Sequence, residues 1–284
     1  MNYTEAFLMG MQKLKEAQIG EAQLDARLLL EEVCGTDHNT LLCHGDREVS
    51  EAEEEQYRKA LEQRAVHVPL QHLLGYQDFM GLRFQVNEYV LIPRQDTETL
   101  VEEAIRVMRP KMKILDMCTG SGCIVLSILK MCREKYYMTE LQGIGADVSE
   151  EALKVARENG RRLEVPVTWI QSDLFAKIPE EEKYDVIVSN PPYIETAVID
   201  TLQEEVRLHD PYIALDGKED GLYFYRRIIS EAGKYLKPQG KLMFEIGCDQ
   251  AEAVEELMKN AGYEQITVKK DLAGLDRVVY GTLQ

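Results

Sequence analysis

The sequence has no run of about 18 apolar residues, so it offers no membrane-spanning helix. Its first twenty residues lack the apolar core of a signal peptide. The expectation is therefore a cytoplasmic chain. Basic residues are in deficit, with 33 Lys and Arg against 50 Asp and Glu, a net charge of −17. The deficit is spread out, since residues 1–70 alone hold 7 basic and 14 acidic side chains. A chain this acidic repels phosphate backbones, which excludes a broad, sequence-blind nucleic-acid footprint. The six cysteines contain no Cys-x-x-Cys pair, and the five histidines no His-x-x-x-His pair. Free thiols and the absence of a metal site are expected.

What is present reads as two parts joined by a linker. Residues 1–70 show helical periodicity in Phe7, Leu8, Met11 and Leu14, and again in Leu24, Leu28, Leu29 and Val33, with Gly35 suited to end the second helix. Ser50 with Glu53 predicts a capping box for a third helix reaching about Val66. The acidic run Glu51–Glu55 reads as its solvated face, with acid favoured near a helix N-terminus. Residues 71–95 carry short apolar stretches punctuated by Gly75 and Gly81, a small β-hairpin linker. Residues 96–284 open with a helix through Met108. Strands are then expected at 112–117, 142–147, 166–170, 184–189, 240–246, 263–269 and 276–282. Helices are expected between them, including 122–132, 150–160, 219–236 and 249–261. Such alternation implies an α/β fold with a mostly parallel seven-stranded sheet. The few residues between the last two strands demand an antiparallel hairpin.

The chemistry concentrates in two loops. The first runs from a strand through Asp116, Cys118, Thr119, Gly120, Ser121 and Gly122 into a helix. Its glycines permit close backbone approach, but Val125 stands where a dinucleotide fingerprint needs a third glycine. Asp116 would also repel a pyrophosphate. Asp147 ends the next strand, where an acid accepts hydrogen bonds from ribose hydroxyls; a simple helix cap is the plainer alternative. A ligand with a ribose, a positive centre and no phosphate suits this pair, and S-adenosylmethionine (SAM) is one. Asp173, Leu174 and Phe175 end the third strand, where an adenine could sit or a turn could simply form.

The second loop is Asn190-Pro191-Pro192-Tyr193, delivered by the fourth strand. Consecutive prolines stiffen it, at the sheet edge where α/β folds bind ligands. The Asn190 side-chain oxygen and the Pro191 carbonyl are two acceptors for the two N–H bonds of a planar NH₂ group. They would hold its nitrogen in line with a methylsulfonium, while Tyr193 packs on the planar group.

With these loops and the segments Pro69–Gly75, Leu91–Arg94, Ala214–Gly221, Lys270–Gly274 and Asp276-Arg277, nearly the whole chain resembles the HemK-type protein-(glutamine N5) methyltransferases of peptide-chain release factors. The resemblance implies a class I SAM-dependent methyltransferase fold with a helical N-terminal docking domain. It implies SAM as donor, S-adenosylhomocysteine as product, and the glutamine of a Gly-Gly-Gln loop as acceptor. By position, Cys118, Thr119, Gly120, Ser121, Gly122 and Asp147 would hold SAM, with Leu174 near the adenine. Asn190 would touch both cofactor and substrate, and Asn190, Pro191, Pro192 and Tyr193 would grip the glutamine. Cys118 stands where the family usually has glycine, and Gln95-Asp96 follows Pro93-Arg94 where it often has Pro-Glu. Cys118 would make the site oxidation-sensitive if exposed. Two rivals remain open on the residues alone. One is an amino-methyltransferase acting on adenine in DNA or guanine in RNA, which would want a basic track. The other is a module that binds SAM without turnover.

Overall fold

A computed structural model describes all 284 residues, in two compact units. The first comprises Met1–Tyr76 together with Gln203–His209. Its main helices are Tyr3–Glu16, Ala22–Cys34 and Glu51–Ala65, with short helices at His38–Cys43 and Leu70–Leu74. Asn2 with Glu5 and Ser50 with Glu53 form capping boxes that satisfy the orphan amides of two of them. Gly35 ends the second helix at φ 55°. The first helix buries Tyr3, Ala6, Gly10 and Leu14 and leaves Leu8 exposed. Of the stripe expected from the sequence, Leu14 is buried and Phe7 and Met11 pack against the core, while Leu8 is turned to solvent. At Gly10 an added Cβ would fall 2.0 Å from the Tyr57 hydroxyl, so the smallest side chain marks the closest approach.

The segment Gln203–His209, which the sequence places in the 96–284 region, belongs to this unit for an electrostatic reason. Arg64, 5% exposed, pairs with buried Asp25 at 2.7 Å and with Glu205 at 2.5 Å. His67 lies 3.4 Å from Glu204. Burying the guanidinium requires such partners.

The second unit comprises Gln77–Leu202 and Asp210–Gln284. Strands β1 (Tyr76–Phe79) and β2 (Leu82–Gln85) form a hairpin turned by Met80 and Gly81, both at positive φ as a two-residue hairpin turn requires. Seven strands follow, β3 (Lys113–Met117), β4 (Gln142–Asp147), β5 (Thr168–Gln171), β6 (Tyr184–Ser189), β7 (Leu236–Glu245), β8 (Tyr263–Lys270) and β9 (Asp276–Leu283). Their order is β5-β4-β3-β6-β7-β9-β8; β3 to β7 run parallel, while β9 is antiparallel to β7 and β8. Alternate strand residues bury into separate clusters, Leu115, Met117 and Ile187 in one and Ile114, Val186 and Val188 in the other, so both sheet faces are covered. The helix expected at 219–236 is shorter, Tyr223–Ala232, because Leu236 already pairs with Tyr184 in the sheet. Strand order reverses between β3 and β6, and Met117 pairs with Ser189 at their carboxyl ends. The two chemical loops therefore emerge side by side at the switch point, where such sheets bind ligands. No helix is long and apolar enough to cross a membrane.

Candidate active site

The glycine loop is shaped by left-handed backbone at Cys118 (φ 61°), Gly120 (φ 54°) and Gly122 (φ 79°). A Cβ on Gly122 would fall 2.8 Å from the Trp169 ring, so the helix Cys123–Glu134 can start there only from a glycine. Beneath the loop Asp116 is fully buried, and its Oδ2 accepts the Thr119 hydroxyl at 2.6 Å and the Val125 amide at 3.4 Å. Burial pushes its carboxyl up to about 7 against these two bonds. Asp147, at the end of β4, accepts the Gly120 amide at 2.9 Å with one oxygen and the Ser149 amide at 2.9 Å with the other. Ser149, not Asp147, caps the helix Glu150–Arg162, accepting the Ala152 amide at 3.2 Å. Burial raises the Asp147 pKa, and the backbone amides oppose that rise.

Across the switch point, the Ser189 hydroxyl donates to the Met117 carbonyl at 2.6 Å and locks β6 to β3. Asn190 is half-buried and gives its Nδ2 to the Thr97 hydroxyl at 3.5 Å. Pro191 and Pro192 are buried. The Tyr193 hydroxyl donates to Glu245 at 3.4 Å, and its backbone carbonyl accepts from Gln250 at 3.0 Å. The conformation is also held from Ala214–Gly221: Ile194 and Asp216 form a parallel bridge, and the Gly217 amide donates to the Ile194 carbonyl at 2.7 Å. A Cβ on Gly217 or Gly221 would fall 2.7 or 2.4 Å from the Tyr193 backbone, so those glycines exist to let this segment clamp the proline loop.

A cavity of about 350 Å³ opens at this edge, within the size range of small-molecule sites. Of the residues singled out from sequence, Cys118, Thr119, Gly120, Ser121, Asp147, Leu174, Asn190 and Pro192 line it. Gly122, Pro191 and Tyr193 are not on its wall, and Tyr193 turns its hydroxyl to Glu245 instead. Asp173 also lines the cavity and pairs with Arg227 at 2.9 Å. Sequence reasoning missed Thr97, Arg94 and Glu245. Arg94 lines the cavity and pairs with buried Asp210 at 2.6 Å. Glu245 carried a usable signal, a lone acid inside the apolar run Leu242-Met243-Phe244-Glu245-Ile246. Burial raises it to about 7, with Thr97 and Arg277 opposing.

These residues can seat a ribose on Asp147, a flat ring near Leu174, and a planar amide against Asn190. The family model for the PrmC N-terminal domain matches residues 5–75, and that for a methyltransferase domain matches residues 108–279. A release factor glutamine methyltransferase from Caulobacter vibrioides is 38% identical over 99% of this chain and 96% of its own length. One from Clostridium botulinum is 37% identical over 97% of each. Among solved structures, a methyltransferase from Pyrococcus furiosus superposes with a TM-score of 0.52 at 18% identity, covering 71% of this chain and 89% of that one, which shows the shared fold.

Proposed function

The chain belongs to the release factor glutamine methyltransferase family, and on that premise we propose that it transfers a methyl group from SAM to the side-chain nitrogen of the glutamine in the Gly-Gly-Gln loop of peptide-chain release factors. The observation that carries the reading is Asn190. It directly follows β6 next to the glycine loop across the switch point, and its Nδ2 donates to Thr97. Asn190 lines the cavity, where its Oδ1 would remain free to accept a hydrogen bond.

The cavity suits SAM in its donors and acceptors. Asp147 is held by two amides and would receive ribose hydroxyls, while Leu174 and its apolar neighbours would meet the adenine. Gly120 meets no atom within 4 Å of a notional Cβ, so the loop backbone has room for a ligand. When bound, SAM supplies a methyl group activated by its sulfonium. The protein's own part is positioning. Asn190 Oδ1 would accept an N–H bond of the glutamine amide and fix its nitrogen towards the methyl; the Pro191 carbonyl, the second acceptor expected from the sequence, is buried and off the cavity wall here. As an N–C bond would form and the S–CH₃ bond of the sulfonium break to leave S-adenosylhomocysteine, the nitrogen would acquire positive charge, the hydrogen bonds to its N–H groups would strengthen, and one proton would pass to solvent. Tyr193 supports the loop from behind. The helical unit would dock the release factor, and a reaction on that substrate would take place in the cytoplasm.

The test supplies methyl-labelled SAM with purified release factors, a Gln→Ala variant of the Gly-Gly-Gln loop, DNA and ribosomal RNA. Label is expected on the unmodified factors alone. Label on nucleic acid and none on the factors would overturn the reading in favour of a nucleic-acid amino-methyltransferase.

A further inference from the structure

The helix Ala251–Asn260 begins at Gln250, a poor capping residue whose side chain makes no bond to its own helix. The amide reaches backwards instead. Its Oε1 accepts the Gly247 backbone amide at 3.0 Å, in the turn that follows β7. Its Nε2 donates to the Tyr193 carbonyl at 3.0 Å and approaches the Gly221 carbonyl at 3.5 Å. The Tyr225 hydroxyl donates to the Glu245 carbonyl at 2.9 Å and lies 3.4 Å from Oε1.

The backbone dictates which way this amide faces. A backbone N–H can only donate and a backbone carbonyl can only accept, so Gly247 demands the oxygen and Tyr193 the nitrogen. Both neighbouring glycines leave it room: an added Cβ would fall 3.0 Å from Oε1 at Gly247 and 2.6 Å from Nε2 at Gly221. One half-buried side chain thus ties together the turn after β7, the end of the Asn-Pro-Pro-Tyr loop and the Ala214–Gly221 segment.

Between Asn190 and Tyr193 stand two buried prolines, whose rings fix φ. The loop therefore has few torsions with which to absorb a shift at its far end, and a displacement of Tyr193 is passed on to Asn190. We propose that Gln250 is a positioning residue for methyl transfer, which holds the loop by the Tyr193 backbone and so keeps the Asn190 amide aligned on the cavity. The inference rests on the function proposed above. Gln250 is not on the cavity wall, so it acts only through the loop. Its loss should cost alignment in the transition state rather than binding.

The experiment uses the full chain with SAM and a release factor. Gln250→Met keeps the length and removes every hydrogen bond. It is expected to lower kcat about tenfold or more, with KM and SAM affinity within about threefold. Gln250→Glu keeps an acceptor for Gly247 but sets an oxygen against the Tyr193 carbonyl. It carries the same expectation if Gln250→Met does not fold. Unchanged kcat would overturn the proposal. A second readout, hydrogen exchange of the free protein, needs no substrate. The amides of Ile194 and Gly217, which join the loop to the Ala214–Gly221 segment, should exchange about tenfold faster or more in the variant, while those of β3 and β4 keep wild-type rates. Wild-type exchange at Ile194 and Gly217 would overturn the proposal. Faster exchange throughout the sheet would assign Gln250 a general stabilising role and overturn it too. A wild type that methylates no release factor would sink the functional reading, and exchange would still decide whether Gln250 holds the loop.

Discussion

The carboxylate of Asp147 accepts the Gly120 amide at 2.9 Å, so the end of one strand fixes the loop that follows its neighbour. The same carboxylate is the acceptor assigned to the ribose. Removing it therefore loosens the loop and deletes a ligand contact together. Asp147→Ala is expected to weaken SAM binding roughly 10- to 100-fold, the range of one or two charge-assisted hydrogen bonds, with Asp147→Asn intermediate. Calorimetric titration measures this directly. An unchanged Kd in Asp147→Ala would remove the residue from the site.

Asn190 should behave in the opposite way. Its acceptor matters most as the nitrogen becomes positive, so Asn190→Ala should keep SAM affinity within about 1–2 kcal/mol. Turnover should fall by about 10²-fold or more, as when a preorganised transition-state partner is lost. Single-turnover kinetics at saturating SAM separates the two effects. A kcat equal to wild type would refute the role.

The two loops were legible because each is contiguous and its residue types are dictated by backbone chemistry. Glycine marks the turn, paired prolines stiffen the strand exit, and Asp147 closes a strand one βαβ step on. The parallel sheet with its terminal hairpin was legible from alternation and connection length. Thr97 and Glu245 were not, because Thr97 meets Asn190, and Glu245 meets Tyr193, only when distant parts of the sequence fold together. The core face of the first helix was legible through Phe7, Met11 and Leu14, but Gly10 was not, because a glycine counts for nothing in an apolar pattern even where it permits the Tyr57 contact. Gln203–His209 was missed because an exposed-looking acidic stretch gives no sign that Arg64 is buried and waiting for Glu205.

That pairing makes Arg64 a stability hinge of the first unit. Arg64→Ala leaves Asp25 buried without its cation, at a cost of about 3–5 kcal/mol. Glu205→Ala, with its side chain 36% exposed, should cost under about 1 kcal/mol. Urea unfolding of both variants tests the ordering. Equal losses would mean that the Asp25–Arg64 pair is not the dominant contact.

Asp116 links the site to pH. Its native pKa is about 7, whereas an unfolded aspartate titrates near 3.9. Between those values the native state holds a proton that the unfolded state has lost. Its contribution to stability is therefore fully present below about 4 and disappears as pH rises through about 7. Asp116→Asn resembles the neutral form and can still accept from Thr119. It should be more stable than wild type at pH 8, by roughly 1–3 kcal/mol, with a smaller difference at pH 5. Denaturant midpoints at the two pH values give the comparison. Identical differences at both would show that this carboxyl does not titrate in that window.

Cys118 combines strain with inertness. It holds φ 61°, a conformation that costs an L-residue about 1–2 kcal/mol and a glycine almost nothing. Glycine also loses more entropy on folding, so the net gain of Cys118→Gly should stay below about 1 kcal/mol. Cys118→Val, with a branched Cβ at the same φ, should be clearly destabilising. Burial, and then the charge of Asp147, push the thiol pKa well above its ordinary value, so little thiolate is available at neutral pH. The oxidation sensitivity that an exposed cysteine would bring is therefore not expected here. Iodoacetamide at pH 8 should alkylate exposed Cys43 and Cys248 well before Cys118, as read by peptide mass mapping over time. Early labelling of Cys118, which stands on the cavity wall, would mean that its thiolate is more available than its raised pKa implies.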